Sequence, residues 1–234
     1  MIIAKFVGVV LIGYLLGSIP FGVLIARRGV KVDVRQYGSG RTGATNVLRT
    51  AGRKAAALVG VLDVLKGVLA VVIAGLIIDR GYLVVGNVAL GVLVAQVMAA
   101  LAAIAGHNFP VFLKFHGGRG VATFFGGLIA LCPPAAIFGG EIFIISAVLT
   151  KFASLASIAG VVGTYAILVP LTIVHGFPIE YLAYALIGTI AILVMHRDNI
   201  ARLMAGKERR LGEKAELRDS PADTDPENQG LREP

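Results

Sequence analysis

Residues Gly38 to Arg49 read GSGRTGATNVLR, a glycine-rich, basic and hydroxyl-bearing stretch set in an otherwise apolar chain. Small residues let backbone N–H groups converge on phosphate oxygens, Ser39, Thr42, Thr45 and Asn46 add side-chain donors, and Arg41 and Arg49 supply positive charge. A second stretch, GHNFPVFLKFHGGRGVAT from Gly106 to Thr123, repeats that chemistry with His107, Asn108, Gly117, Gly118 and Arg119. Two such cradles point to phosphorylated substrates, not simply to a pore. Three further pairs share a helical face at a spacing of three: Asp63 with Lys66, Ser154 with Ser157, and His196 with Asn199.

The elements that must position these groups are membrane helices. Hydrophobic residues make up 56% of the 234 and charged ones 15%, with a mean hydropathy of +0.82; a soluble domain carries closer to a quarter charged residues. Apolar segments at about 3–26, 53–78, 84–105, 120–132, 135–150, 154–174 and 179–195 predict an all-α polytopic membrane protein of about seven spans. The fourth and fifth, parted by Pro133 and Pro134, are short enough to be tilted or re-entrant. The first lacks a small-residue cleavage site and reads as a retained helix. All of the 22 basic residues except Lys5, Lys66 and Arg80 fall after spans one, three and five or in the tail. The positive-inside rule therefore sets the N-terminus outside and the C-terminus in the cytoplasm. Residues 1–205 form the membrane domain, and 206–234, rich in charge and proline, read as a disordered cytoplasmic tail.

Several function classes drop out. The single Cys132 precludes an internal disulfide or cysteine-rich metal site and reads as a small apolar residue. The net charge of +8 follows from loop polarity and attraction to anionic lipid, and no aromatic–basic interleaving marks a nucleic-acid surface. A metabolite transporter would carry an internal repeat and sites open to both faces, whereas here the polar motifs share one side. An alcohol phosphatidyltransferase would need clustered metal-binding aspartates, and Asp63 stands alone in its span. A purely structural subunit leaves the two cationic loops unexplained. Inside the membrane, Asp63 and Lys66 must pair with each other or face a polar site, and Glu141 is expected to make a helix-packing hydrogen bond.

The strings YLLGSIPFG, GSGRTGATNVLRTAG, DVLKG, GHNFPVFLKFHGGRGVAT and HRDNIARL, in this order, resemble the bacterial acyl-phosphate:glycerol-3-phosphate acyltransferases of the PlsY type. The resemblance covers nearly all of residues 8 to 208. It implies a seven-span enzyme of the bacterial inner membrane, its active site facing the cytoplasm, that moves a fatty acyl group from acyl phosphate to the 1-position of glycerol 3-phosphate. The products are lysophosphatidic acid and inorganic phosphate, and no cofactor or metal is implied. Membrane lipid and an enzyme that makes acyl phosphate are the implied partners. Matched residue by residue, Ser39, Gly40, Thr45, Asn46 and Arg49 correspond to one phosphate-binding motif, and His107, Asn108, Gly117, Gly118 and Arg119 to a second. Lys66, Ser154 and Ser157 fall in or beside further motif positions, and His196 with Asn199 matches the terminal one. Arg119, His196, Asn199 and Ser157 are the expected catalytic group, the others binding substrate.

Three departures matter. Arg41 stands where asparagine is common, Arg119 where lysine is usual, and Met195 where a basic residue often precedes the histidine. Arg119 can grip phosphate bidentately but does not readily release a proton, which assigns that position an electrostatic role. Acyl phosphate is a mixed anhydride with a good leaving group, so no protein nucleophile is required. With no evident carboxylate base among the motifs, a phosphate oxygen of the substrate is the expected proton acceptor, with His196 the competing base.

Overall fold

Proline, glycine and charge interrupt the apolar sequence at the points where helices end. The computed structural model describes residues 2–86 and 88–217. In order come α1 (Ile2–Ser18), α2 (Phe21–Val30), α3 (Ala44–Ile78), the hairpin β1 (Leu83–Val85) and β2 (Val88–Leu90), α4 (Val92–Asn108), α5 (Val121–Leu131), α6 (Pro133–Thr150), α7 (Ala153–His175), α8 (Ile179–Met195) and α9 (Arg197–Met204). Pro20 separates α1 from α2, because its nitrogen cannot donate to the helix ladder. Pro133 instead opens α6, where a missing N–H costs nothing.

The protein is a helical membrane protein, and each of the seven apolar segments carries a helix. By length and composition five spans are long enough to cross a bilayer: 2–30, 44–78, 92–113, 133–150 and 153–175. A sixth appears if α8 and α9, bent by 63° at His196, are taken together. The 11 residues of α5 are too few to cross alone.

Three differences from the sequence reading bear on the site. The second segment begins at Ala44, not at 53, so Thr45, Asn46 and Arg49 ride on the first turns of α3; a break at Gly52 (φ 86°, ψ −179°) separates these turns from the membrane part. A positive φ of this kind is open to glycine with little strain. The third segment starts with the hairpin, Leu83 opposite Leu90 and Val85 opposite Val88, whose β-branched residues fit a pleated ribbon better than a helix end. Of the segment read as a tail, residues 207–217 lack regular helix but lie against the rest. Gly38 N–H donates to Glu216 O (2.9 Å), Leu211 N–H to Lys151 O (2.7 Å) and Ala215 N–H to Arg49 O (3.3 Å). The remainder of that segment, 218–234, lies outside the described residues.

Packing is close where side chains are small. A side chain at Gly17 of α1 would run into the Ala103 carbonyl of α4, so this glycine sets how nearly the two helices approach. The largest core joins α4, α5, α7 and α8 around the stacked rings of Phe124 and Tyr184, 5.3 Å apart, and the Tyr184 hydroxyl donates to Phe124 O at 2.8 Å. A separate cluster of Val23, Ala26, Val34, Val47 and Val59 anchors the loop between α2 and α3. Leu58, Val61, Leu65 and Leu76 of α3 are exposed, as a lipid-facing surface requires. Glu141 on α6 does not make the expected packing bond: its side chain is exposed and has no hydrogen-bond partner among the described residues.

Candidate active site

Asp33 and Asn46 shape the first loop. The Asp33 carboxylate takes Arg35 Nη2 and Arg27 Nη2, each at 2.7 Å, and the Arg35 hydrogen bond holds its pKa well below the usual carboxylate range. The Asn46 amide donates to Val34 O (2.8 Å), Arg41 O (2.9 Å) and Tyr37 O (3.2 Å), while its Oδ1 accepts Ser39 N–H (3.2 Å). Asn46, expected to grip phosphate, thus spends its polar atoms on holding the loop in shape. Satisfying four backbone groups from one buried side chain makes the loop rigid without regular structure.

His107 and Asn108, expected in a loop, form the last turn of α4. Gly118 N–H donates to His107 O (2.9 Å) and Gly117 N–H to Asn108 O (3.1 Å), folding the second loop back over the helix end. A Cβ on Gly118 would overlap His107 Nε2, so this glycine is required for close approach. Lys66 lies 2.8 Å from Asp63 Oδ1 and 2.7 Å from His107 Nδ1, and all three side chains are buried. Of the two arrangements left open by the sequence, the Asp63–Lys66 pair is present, extended by a histidine from the next helix, and Asp63 lines the cavity as well.

At the bend between α8 and α9, Ile192 O lies 2.8 Å from His196 Nδ1. A carbonyl only accepts, so Nδ1 carries the proton and Nε2 keeps its lone pair. Burial, reinforced by the Arg119 charge, lowers the His196 pKa to about 4, leaving a neutral imidazole at pH 7. Burial and the neighbouring Arg41 likewise bring Arg119 down to about 10, so Arg119 remains charged. Asn199 Nδ2 donates to Glu208 Oε1 (2.8 Å), and Arg202 Nε donates to Glu208 Oε2 (2.9 Å). Arg49 Nη2 reaches the carbonyls of Arg209 (3.2 Å) and Arg210 (3.1 Å). Glu208 was missed in the sequence because it sits in the charged stretch that reads as tail; its spacing from Asn199 and Arg202, just beyond HRDNIARL, was the available signal.

These elements enclose a cavity of about 660 Å³. Ser39, Thr45, Asn46, Arg49, His107, Arg119, Ser154, Ser157, His196 and Asn199 line it, together with Asp63, Glu208 and Arg209. Its apolar wall comes from Ala57, Val61, Val64, Val121, Phe125 and Phe143, and Val61 is 63% exposed, so the cavity reaches the lipid-facing surface of α3. A smaller polar cavity of about 410 Å³ shares Ser39, Arg41, Arg119 and Arg209 with it and adds Gly40, Gly117, Arg202 and Asp198. Asn108 and Gly118 line neither cavity, and Lys66 lines a separate small pocket with Ser18, Thr42, Asp63 and His107.

The electrostatics favour anions. The N-termini of α3, α5 and α7 all meet the larger cavity, at Ala44, Val121 and Ala153, and none has a side-chain cap. Uncapped N–H groups and helix dipoles add to the charges of Arg49 and Arg119. Four buried polar atoms on the cavity wall, Arg49 Nε, Arg119 Nε, Ser154 Oγ and Asn199 Oδ1, have no hydrogen-bond partner among the described residues. Buried polar groups are almost always paired, so these donors and acceptors on one cavity wall suit a polar ligand. Ser157 Oγ, by contrast, donates to Ala153 O at 2.7 Å.

A family model described as glycerol-3-phosphate acyltransferase matches residues 7–206. This chain belongs to that family. A curated glycerol-3-phosphate acyltransferase 3 of Dehalococcoides mccartyi (strain 195) is 66% identical over 215 residues, covering 92% of this chain and all of the relative. A glycerol-3-phosphate acyltransferase of Halalkalibacterium halodurans is 43% identical over 203 residues, covering 87% and 94%. Among solved structures, the glycerol 3-phosphate form of PlsY (YgiH), an integral membrane glycerol 3-phosphate acyltransferase, aligns with a TM-score of 0.75 at 36% identity, covering 88% of this chain and 96% of that one. The lysophosphatidic acid form aligns at 0.73 with 35% identity, covering 88% and 94%. The family match stops at residue 206, so Glu208 and Arg209 fall just past it.

Proposed function

We propose that this acyltransferase moves a fatty acyl group from acyl phosphate to the 1-hydroxyl of glycerol 3-phosphate, releasing lysophosphatidic acid and inorganic phosphate at the cytoplasmic face of a bacterial inner membrane. The observation that carries the reading is a cavity with one apolar wall whose polar wall holds four buried atoms unpaired among the described residues. That wall suits an acyl chain entering from the bilayer past Val61, while the cationic end suits phosphate. Clustered basic loops support the cytoplasmic orientation.

In the reaction the glycerol oxygen bonds to the acyl carbonyl carbon, the carbon–oxygen bond to phosphate breaks, and phosphate departs with the electron pair. Arg49 and Arg119, with the helix N-termini, offset repulsion between the two anionic substrates and bind the leaving phosphate. Ser39, Thr45 and Ser154 offer hydroxyl donors, and Asn199, held by Glu208, offers a free Oδ1 to the glycerol. The hydroxyl proton passes to a phosphate oxygen of the bound substrate, and His196, neutral with a lone pair on Nε2, orients the nucleophile. His196 acting as the base is the competing assignment. If His196→Ala abolished turnover while leaving both substrates bound and correctly posed, that assignment would replace substrate assistance. The proposal as a whole is tested by giving purified protein glycerol 3-phosphate with a fatty acyl phosphate and following both products.

A further inference from the structure

The described chain does not end at the last motif. Residues 207–217 lie against the site as a strap: Leu211 N–H donates to Lys151 O, Ala215 N–H to Arg49 O and Gly38 N–H to Glu216 O, and the strap's Glu208 and Arg209 line the cavity. Arg49 donates to two strap carbonyls, and Glu208 inserts its carboxylate between Asn199 and Arg202. Arg209, next to Glu208, is half-buried and lines both cavities at their shared edge. Its guanidinium has no hydrogen bond or ion pair among the described residues, and its charge lies close enough to act on that of Arg49. Glu208, its neighbour in the chain, is already engaged by Arg202 and Asn199. Arg209 shares the smaller cavity with Arg41, Arg119 and Arg202 against one carboxylate, Asp198, an excess of positive charge that a bound anion offsets. Arg210, the next residue, is exposed and lines neither cavity.

We propose that Arg209 is a substrate-contacting residue, a cation delivered by the strap to the phosphate of glycerol 3-phosphate. This rests on the acyl-transfer reading for the identity of the ligand. The smaller cavity is polar, with four arginines against the single carboxylate of Asp198, and cannot shelter an acyl chain, so the substrate that occupies it is the water-soluble one. Binding of its phosphate relieves the repulsion between Arg209 and Arg49 and fastens the strap over the site.

The test is equilibrium binding of radiolabelled glycerol 3-phosphate to the full chain in lipid nanodiscs, alongside steady-state kinetics, for the wild type, R209Q, R209K and R210Q. R209Q and R210Q remove the same charge from the same strap, so a general field effect would weaken binding equally. Losing one charge-assisted contact weakens glycerol 3-phosphate binding, and raises its KM, roughly tenfold in R209Q. R209K recovers part of the loss, R210Q stays within about twofold of wild type, and the KM for acyl phosphate is unchanged throughout. Equal effects of R209Q and R210Q, or wild-type binding by R209Q, overturn the inference. Normal binding by the wild type without acyl transfer from acyl phosphate would refute the donor assignment instead, leaving the contact to be judged on the binding data. Melting temperatures show whether each variant is folded, and R209K keeps the contact testable should R209Q fail to fold.

Discussion

Replacing Glu208 by alanine probes how the strap and the terminal motif are joined. The Glu208 side chain is 5% exposed and accepts at 2.8 Å from Asn199 and at 2.9 Å from Arg202. A hydrogen bond to a charged group contributes about 1.5–3 kcal/mol, and breaking a buried pair from one side costs about 3–5 kcal/mol. The Arg202 side chain is 30% exposed and regains some solvation on losing its partner, so the lower end of that range applies, about 3 kcal/mol. For a chain of this size that lowers the melting temperature by about 6–12 °C. Glu208→Gln keeps an acceptor for Asn199 but loses the charge facing Arg202, and falls roughly halfway between. The assay is thermal unfolding in one detergent at fixed pH, paired with turnover at saturating substrate. Turnover falls in E208A because Asn199 is released to rotate. If E208A melts within about 1 °C of wild type and turns over normally, Glu208 does not hold the site and the role given to the strap is wrong.

Two further outcomes follow from buried charge. Lys66→Met leaves Asp63 without its 2.8 Å partner inside the membrane and destabilises the protein by about 3–5 kcal/mol, whereas adding Asp63→Asn restores most of the loss; an unchanged melting temperature in the single variant would contradict this pairing. His196, depressed from its ordinary value of 6.5 to about 4, binds its proton more weakly folded than unfolded, so its neutral form stabilises the fold above about pH 6.5 and that contribution is lost as pH falls toward 4. The loss is about 2 kcal/mol by pH 5, read as a steeper acid decline in melting temperature for wild type than for His196→Asn; parallel curves would refute it.

The sequence carried the membrane architecture because bilayer crossing demands long apolar stretches and loops concentrate charge, signals that survive without tertiary context. Asp63 and Lys66 were legible as a pair or as polar-site residues, since a spacing of three on an apolar helix leaves few alternatives, and the contact at 2.8 Å shows the pair. What it could not carry was division of labour within a motif. Ser39 and Asn46 stand in the same glycine-rich string, yet only the contact geometry reveals that Asn46 fastens the loop. Likewise Gly117 and Gly118 look like an anion nest in sequence but are small because the loop doubles back on His107. The β hairpin was hidden in a run of apolar residues that suits helix or strand alike. Glu208 and Arg209 were hidden by composition: a charged, proline-bearing stretch reads as solvated tail, and only long-range bonds to Arg49, Asn199 and Lys151 reveal its first part as a wall of the cavity.

The most direct measurement of the central claim is donor choice by purified protein. Given glycerol 3-phosphate and palmitoyl phosphate, it should release inorganic phosphate and form lysophosphatidic acid in equal amounts, with no product when palmitoyl-CoA replaces the acyl phosphate. Product from palmitoyl-CoA alone, or phosphate release with no lysophosphatidic acid, would contradict acyl transfer from a bound acyl phosphate at this cavity.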